Sequence, residues 1–436
     1  MKRCSYIKTI LILALIFPML IMSGCIDNIE VDEMVYVVAM GIDEGTNENL
    51  RITLLMAVPI AVGVGPEPGE VDEATNSITV EAPTILGGIS VVNSMISKKV
   101  NFSHAKLIVI SRQLAENGIE RFMNTFMRYR EFRPDTYIGI SIDSAGEVLK
   151  SLNPVLEINP SKHIELLMEA YQYTGFSSGT TIGEFYSRME CTCNEAVAIL
   201  LGSSQIENEK DIENMFSMTS NTGGVIMEGD YEATDMPVIY ESKGRQMGTA
   251  VFIKDKMVGE LTGLETNYYL MVSGQIGAIN YTLPEPNKKA YVPYSNYVSI
   301  RLTQARKPEI NVKIEDENPV IRIKVSLEGD ILSITGKEDY SMGEKLTELE
   351  NYASDYIREE VLSFLVKTRD ELKSDICATG KSIKKKFLYW DDWVSFNWPK
   401  RYEKADFNVE LSVKIRRSGV MVKNINVDGV FGSEEK

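Results

Sequence analysis

The strongest constraint on the fold is an apolar repeat in the last third of the chain. Apolar residues recur every three or four positions, at Leu346, Leu349, Ala353, Ile357, Val361, Phe364, Thr368, Leu372, Ile376 and Ile383. This spacing places them on one face of an α-helix, so the repeat predicts one long amphipathic helix. A helix with one apolar face needs a surface to cover.

Segments typical of β-strands lie on both sides of this helix. "VSIRLT", "EINVKI", "VIRIKVSLEG" and "DILSIT" predict a meander of short strands over residues 291–335, and "FNVELSVKIRRSG" predicts a last strand. An antiparallel sheet covered by the long helix makes this region an α+β domain. We assign it residues 247–434, with a possible division into two subdomains near residue 290.

The first half of the chain has a different pattern. "EMVYVVAMGID", "AKLIVIS" and "DTYIGISID" predict strands, and helical segments alternate with the strands. The alternation predicts an α/β domain over residues 25–206. The polar, glycine-containing stretch 207–246 is the predicted linker. The fold class is therefore mixed α/β and α+β, with more than one domain.

The N-terminal 24 residues read as a signal peptide. Lys2, Arg3 and Lys8 are followed by a 13-residue apolar stretch, which is shorter than the roughly 20 residues that a spanning helix needs. Met22-Ser23-Gly24-Cys25 looks like a bacterial lipobox, although Met22 replaces the usual leucine. Cys25 is then the lipidated residue. The alternative is an ordinary signal peptide with a chance cysteine.

The charge of the chain limits its partners. The formal charge is −16, and loss of the three basic residues of the leader lowers it to −19. Such a surface repels phosphate backbones and anionic headgroups. We therefore expect no nucleic-acid partner, and we expect membrane attachment to be hydrophobic rather than electrostatic.

Residue types that commonly form metal sites or disulfides are few. Neighbours such as Cys191 and Cys193 pair poorly, so we expect these two and Cys377 to be small buried residues, with a link from Cys377 to one of the pair as the alternative. His104 and His163 have no metal-ligand spacing. The sequence predicts no metal site.

No catalytic residue can be assigned from a motif. Gly175–Gly179 matches G-x-S-x-G, but no histidine follows Ser177, and we expect a turn between helices. "GKS" at residues 380–382 resembles the end of a phosphate-binding loop, but Asp375 occupies the first glycine position and the stretch falls inside the predicted long helix. Carboxylates are too numerous for any pair to be singled out.

Several segments together resemble the Ger(x)C family, the C-subunit lipoproteins of spore germinant receptors. They are "GCIDNIEVDEMVYVVAMGID", "SHAKLIVISRQLAENGIERFMNTFMRYREFRPDTYIGIS", "GTAVFIKDKMVGELTGLET", "RDELKSDICATGKSIKKKF" and "VKIRRSGV". The similarity runs in order from Cys25 to about Val420. Ile26 departs from the tryptophan that usually follows the lipidated cysteine.

The resemblance implies a subunit without enzymatic activity on the outer face of the inner spore membrane. Its partners would be the A and B membrane subunits of a nutrient germinant receptor, and any contact with the germinant would be indirect. No cofactor is implied beyond the diacylglycerol and N-linked acyl chain, such as palmitate, on Cys25. Segments 103–104, 128–133 and 248–265 match family hallmarks, and Arg128, Arg130 and Arg133 are the candidate subunit contacts.

Two other classes of protein fit parts of the pattern. The solute-binding lipoprotein of a transporter would also be acidic and anchored, but it needs two similar βα lobes. A lipid-anchored hydrolase would have to use carboxylates, because no downstream histidine is available for a serine mechanism.

Overall fold

The computed structural model describes residues 30–58, 75–152, 154, 156–219, 227–286, 296–336 and 338–417. The predicted signal peptide and Cys25 lie outside these residues. Among the helices within them, none has the length and apolar character needed to cross a bilayer.

Thirteen strands and thirteen α-helices are numbered here along the described chain. The strands are β1 (Met34–Glu44), β2 (Leu50–Ala57), β3 (Thr75–Ala82), β4 (Lys99–Asn101), β5 (Leu107–Ser111), β6 (Tyr137–Ser141), β7 (Val197–Ser203), β8 (Gly244–Ile253), β9 (Lys256–Leu261), β10 (Ile279–Pro284), β11 (Tyr297–Glu315), β12 (Asn318–Ile334) and β13 (Asp406–Arg417). The helices are α1 (Ile85–Met95), α2 (Arg112–Asn117), α3 (Glu120–Arg128), α4 (Ala145–Ser151), α5 (Pro160–Glu169), α6 (Tyr171–Thr174), α7 (Ile182–Glu190), α8 (Glu209–Thr219), α9 (Gly263–Ser273), α10 (Gly343–Asp370), α11 (Gly380–Lys384), α12 (Trp390–Phe396) and α13 (Trp398–Tyr402).

The first nine strands form one large sheet. Its order is β3-β2-β1-β5-β6-β7-β8-β9, and β4 pairs with the start of β1. β1, β5, β6 and β7 are parallel to one another, whereas β2, β3, β8 and β9 join antiparallel. Every residue of β5 is buried, as expected for a parallel strand covered by helices on both faces. The predicted α/β fold of the N-terminal half is confirmed.

The second sheet has the order β10-β11-β12-β13. The four short strands predicted for its centre are wrong, because they form two long strands, β11 and β12. Bulges interrupt their register near Gln304 and Arg306, and each bulge locally disturbs the alternation of buried and exposed residues. Pairing is antiparallel from β10 to β12, and β13 then joins parallel to β12. The predicted sheet with a covering helix is confirmed.

Helix α10 covers the second sheet but is shorter than predicted. Leu349, Ala353, Ile357 and Val361 are buried against the sheet. The helix ends at Asp370, so the prediction of one helix through Ile383 is wrong. The buried apolar residues after the end of α10 keep a helix-like spacing, although they belong to a loop and to α11. They are buried because that loop is itself packed into the core.

The predicted domain division at residue 247 stays a prediction, but the large sheet does not follow it. β8 and β9, which we had assigned to the second domain, pair with β7 in the first sheet. The predicted linker contains α8, and Ala233 within it is fully buried. The two sheets are therefore joined by packed structure on both sides of the boundary.

Candidate functional site

The large sheet has an edge at which β1, β5, β6 and β7 all begin, here called the N-terminal edge. Ala39 is aligned with Leu107, Leu107 with Tyr137, and Gly139 with Ile199 across the parallel strands. The loops that enter these strands and the β8–β9 turn therefore lie side by side. The described chain also starts here, at Glu30 ahead of β1.

The three candidate contact arginines lie on this edge. Arg128, Arg130 and Arg133 are exposed in the segment that ends α3 and leads to β6. Phe132, between them, points into the core and contacts the Phe102 ring at a centroid distance of 4.8 Å. The structure thus holds the segment by its aromatic residue and leaves the guanidinium groups in solvent. Their role in subunit contact stays a prediction.

Both histidines pack within the N-terminal half. The His104 ring meets Tyr36 edge-on at 4.6 Å, and its backbone oxygen accepts a hydrogen bond from Ser161 Oγ. Burial lowers the pKa of His163 below its usual value. Among the described residues, no group of His, Cys, Asp and Glu side chains has a geometry that could hold a metal ion.

The G-x-S-x-G segment lies between α6 and α7, as predicted. Ser177 is buried and forms an isolated β-bridge with Gly248 in β8. Its hydroxyl group therefore faces the protein interior, and the segment links the helical layer to the large sheet.

A pocket of about 300 Å³ opens at the N-terminal edge where the two sheets meet. Its lining includes residues from α3, α7, the loop before β7, the β8–β9 turn and α13, among them Glu120, Tyr186, Cys191, Glu195, Lys254 and Pro399. The pocket marks the junction between the N-terminal half and the last segment of the chain.

Cys191 and Cys193 form a disulfide in this junction, with Cα atoms 5.2 Å apart. The expectation that both are free buried thiols is wrong, and so is the alternative link to Cys377, which is free and buried. The loop after α7 brings the two cysteines within bonding reach despite their close spacing. Spacing alone did not reveal this turn.

The junction is organised by Asp375, for which the sequence pattern indicates only a mismatch to a phosphate-binding loop. Its side chain is almost completely buried. The backbone N–H groups of Thr379 and Gly380 donate to it at 3.0 and 2.8 Å. The Thr379 hydroxyl and Trp398 Nε1 donate at 3.0 and 2.9 Å. Burial raises the pKa of Asp375 although these four donors oppose the shift.

A second buried carboxylate, Glu195, connects this loop to the large sheet. Its backbone N–H donates to the Asp375 carbonyl oxygen at 3.1 Å, and its side chain accepts the Lys254 backbone N–H at 2.7 Å. Burial, together with the nearby Asp375 charge, raises the pKa of Glu195 to about 7. Two carboxylates thus lie where the C-terminal segment meets β7 and the β8–β9 turn.

Other polar contacts close the same junction. The Arg188 guanidinium is buried, donates to Glu184 Oε1 at 2.9 Å, and donates to the Ile376 carbonyl oxygen at 3.1 Å. Ser374 Oγ donates to the Phe252 carbonyl oxygen at 2.7 Å. Because these groups satisfy one another, the arrangement is suited to locking the two halves together.

Two family models match the chain. The one described as spore germination protein N-terminal domain covers residues 27–201, and the one described as spore germination B3/GerAC like, C-terminal, covers residues 247–419. The Asp375 junction lies within the second matched region and contacts residues of the first.

Two relatives that align with this chain over nearly their whole length are also spore germination proteins. Spore germination protein KC of Bacillus subtilis (strain 168) is 23% identical over 423 residues, which are 95% of this chain and 96% of that protein. Spore germination protein B3 of the same organism is 22% identical over 412 residues, 93% of this chain and 97% of that protein. The crystal structure of the GerBC protein aligns with a TM-score of 0.49 and 19% identity, covering 86% of this chain and 96% of that one.

The two matched regions occur in the expected order and together span most of the chain, and two relatives align over nearly their whole length. The chain therefore belongs to the Ger(x)C family of spore germination proteins.

Proposed function

We propose that this protein is the lipid-anchored C subunit of a nutrient germinant receptor. It acts without catalysis, by assembling with the A and B membrane subunits on the outer face of the inner spore membrane. The observation that carries the proposal is the full-length similarity to spore germination proteins KC and B3, taken together with the Ser-Gly-Cys sequence that ends the leader.

The anchor supplies the physical basis of assembly. Two or more acyl chains on Cys25 hold a protein stably at a bilayer, because each buried CH₂ contributes about 0.8 kcal/mol. Confinement to the membrane raises the effective concentration near other membrane subunits, so that a modest interface suffices. Arg128, Arg130 and Arg133 are exposed on the N-terminal edge, where the described chain begins. They can pair in bidentate fashion with acidic partner groups, and Arg133 would exchange its surface contact with Asp135 to do so. A germinant would influence this subunit indirectly.

The architecture favours this function over solute capture. A solute-binding lipoprotein encloses its ligand between two similar βα lobes, whereas here a nine-stranded sheet is joined to a four-stranded sheet with a different topology. The Glu195 N–H donates to the Asp375 carbonyl oxygen and Ser374 Oγ donates to the Phe252 carbonyl oxygen, so the C-terminal segment is held against the first sheet. Such a junction opposes the hinge opening that solute capture requires.

Affinity purification of a C-terminally tagged copy from detergent-solubilised spore membranes tests the assembly. We expect a polytopic B-type protein and an A-type protein to be recovered, as identified by mass spectrometry. Recovery of a permease with its ATPase would refute the proposal.

The anchor is tested separately by Cys25→Ala. We expect the variant to lack lipid, to leave the membrane fraction of lysed spores and to impair germination. The matched control is Cys377→Ala, which removes a cysteine that is buried within the described fold. Normal membrane retention of the Cys25→Ala protein would contradict the anchor assignment.

A further inference from the structure

A short apolar segment projects from the protein between α11 and α12. Leu388 and Tyr389 are 94% and 72% exposed, and Trp390 is 56% exposed. These three residues are here called the aromatic tip. Large apolar side chains this exposed and consecutive on a water-soluble surface usually mark an interaction site.

The base of the aromatic tip is firmly held. Trp393 is buried, and its indole N–H donates to Thr192 Oγ1 at 2.7 Å. The Phe387 ring packs on Trp393 at 5.4 Å. The tip therefore projects from an anchored base.

The same contacts place the tip at the N-terminal edge of the large sheet. Thr192 belongs to the loop that enters β7, and the pocket at this edge is lined both by that loop and by Pro399. β1 lies three strands from β7, or about 14 Å across the sheet. The tip and the start of the described chain thus share one edge.

Other exposed apolar residues are found on this edge. Met95 ends α1 just before β4, which pairs with the start of β1. Leu156 and Ile158 precede α5, which starts beside His104. Among the described residues, the five most exposed large apolar side chains are Leu388, Leu156, Met95, Tyr389 and Ile158. Met95 thus ends a helix next to this edge, and the other four lie in loops at, or leading to, the N-terminal edge.

The proposed anchor brings this edge close to a membrane, and in this step the inference rests on the proposed function. Met34, the first residue of β1, is nine positions after Cys25. Even fully extended, this stretch reaches at most about 30 Å. The N-terminal edge is thus held within that distance of the bilayer. Helix α10 has 28 residues, so its first residue lies about 40 Å along the helix axis from its last residue, which is near the Asp375 junction.

We propose that the N-terminal edge docks on the bilayer surface and that the aromatic tip inserts at the boundary between headgroups and acyl chains. Tryptophan and tyrosine favour this boundary because their rings are apolar and carry one polar group. Lys384 and Lys385 come shortly before the tip, and Lys384 Nζ lies 5.0 Å from the Trp390 ring centroid. These two ammonium groups would face the headgroup phosphates while the tip enters below them, whereas Lys386 Nζ donates to the Val312 carbonyl oxygen.

A bilayer fits these observations better than a protein groove does. The exposed apolar residues come from three separate segments at, or leading to, one edge, as a planar surface touched at several points requires. Asp391 and Asp392 follow the tip, and the chain as a whole is acidic. Insertion of apolar side chains is therefore the main attraction, and Lys384 and Lys385 contribute locally.

The tryptophans of this protein allow a direct test. Of the three, Trp393 and Trp398 are buried and only Trp390 is exposed. We would reconstitute the lipidated full-length protein into phosphatidylglycerol–phosphatidylcholine vesicles that contain brominated acyl chains, which quench tryptophan only within the membrane. We expect quenching that disappears in Trp390→Phe. Trp390 emission that stays open to aqueous iodide and is not quenched by the brominated lipids would overturn the proposal.

Matched variants separate insertion from simple proximity. The double variant Leu388→Ser with Tyr389→Ser keeps Trp390 as the fluorescent reporter. We expect it to lower the quenching of Trp390 at least about twofold, because the removed side chains supply much of the inserted apolar area. Met342→Ser changes another exposed apolar side chain, at the start of α10, and should leave quenching unchanged. Circular dichroism of each variant checks the fold. Equal quenching in all three proteins would refute insertion of the tip.

Failure of this inference can be distinguished from failure of the proposed function. A lipidated protein that is retained in membranes while Trp390 stays in water keeps the anchor and overturns the docking. A protein that carries no lipid on Cys25 contradicts the anchor assignment. If this protein is added to the same vesicles and Trp390 is quenched, the docking is still supported. Shielding of Trp390 only when other spore membrane proteins are present would assign the tip to a protein partner and overturn the proposal.

Discussion

Replacement of Asp375 by alanine should destabilise this protein more than any surface change. The substitution leaves three buried N–H donors without an acceptor, those of Thr379, Gly380 and Trp398. Each unsatisfied buried donor costs about 1–3 kcal/mol. Removal of a buried negative charge, whose burial raises the pKa of the carboxyl group, offsets part of this cost. We expect the free energy of unfolding to fall by about 3–6 kcal/mol.

Asparagine at the same position tests whether hydrogen bonding or charge carries the effect. Oδ2 of Asp375 accepts three of the four hydrogen bonds, and the amide oxygen of Asp375→Asn can keep these three. The amide NH₂ group then faces the Thr379 N–H, so that two donors oppose each other. We expect a loss of about 1–3 kcal/mol. The pKa of Asp375 is higher in the folded protein than in the unfolded chain. The wild type therefore loses stability as pH rises from the pKa of the unfolded chain through that of the folded protein. The asparagine variant lacks this dependence.

Urea unfolding followed by tryptophan emission provides the assay, since Trp398 reports the junction directly. Asp370→Ala is the control, because this carboxylate is about half exposed and pairs with Arg369 at the surface. Surface pairs contribute at most about 1 kcal/mol. If Asp375→Ala costs no more than Asp370→Ala, or if the asparagine and alanine variants are equally unstable, the hydrogen-bond argument is wrong.

Two further predictions concern the same junction. The wild type should lose up to about 3 kcal/mol of stability as pH rises from 4.5 to about 7, because burial raises the pKa of Glu195 to about 7. Glu195→Gln should not show this loss. Melting temperatures of both proteins across this pH range measure the difference, and parallel curves would contradict the prediction. Replacement of Cys191 and Cys193 together by serine should cost about 1.5 kcal/mol, since the disulfide closes a very short loop. Urea unfolding under non-reducing conditions checks this, and a cost above 4 kcal/mol would show that the loop does more than shorten the unfolded chain.

The Asp375 junction also has a consequence for the aromatic tip. It holds the C-terminal segment, including α11 to α13, against the loop before β7. The aromatic tip is thereby fixed on the N-terminal edge. Weakening the junction should therefore loosen the tip but not the three exposed arginines, whose segment Phe132 holds in the N-terminal core.

Much of the architecture can be predicted from local pattern. Strand and helix signals in the N-terminal half predict β1, β5 and β6 because parallel strands covered on both faces have near-continuous apolar runs. The apolar repeat predicts α10, since a helix that covers a sheet must bury one face along its whole length. The lipobox-like sequence at Cys25 depends only on neighbouring residues and can be recognised without any structure.

Local pattern fails where packing between distant segments decides the outcome. Leu372, Ile376 and Ile383 keep the spacing of a helix, yet the chain leaves the helix at Asp370, because a carboxylate buried among donors from Thr379, Gly380 and Trp398 stabilises a loop there. The division at residue 247 likewise looks reasonable in the sequence, and only pairing with β7 assigns β8 and β9 to the first sheet.

The candidate site divides in the same way. The sequence by itself determined the family resemblance, the lipobox-like sequence at Cys25, the acidic net charge and the cluster of arginines at 128, 130 and 133. Only the tertiary structure decided that Cys191 pairs with Cys193, that Asp375 and Glu195 are buried in one junction, and that the aromatic tip shares an edge with the start of β1. Burial and proximity depend on contacts between residues far apart in the chain, and no local spacing encodes them.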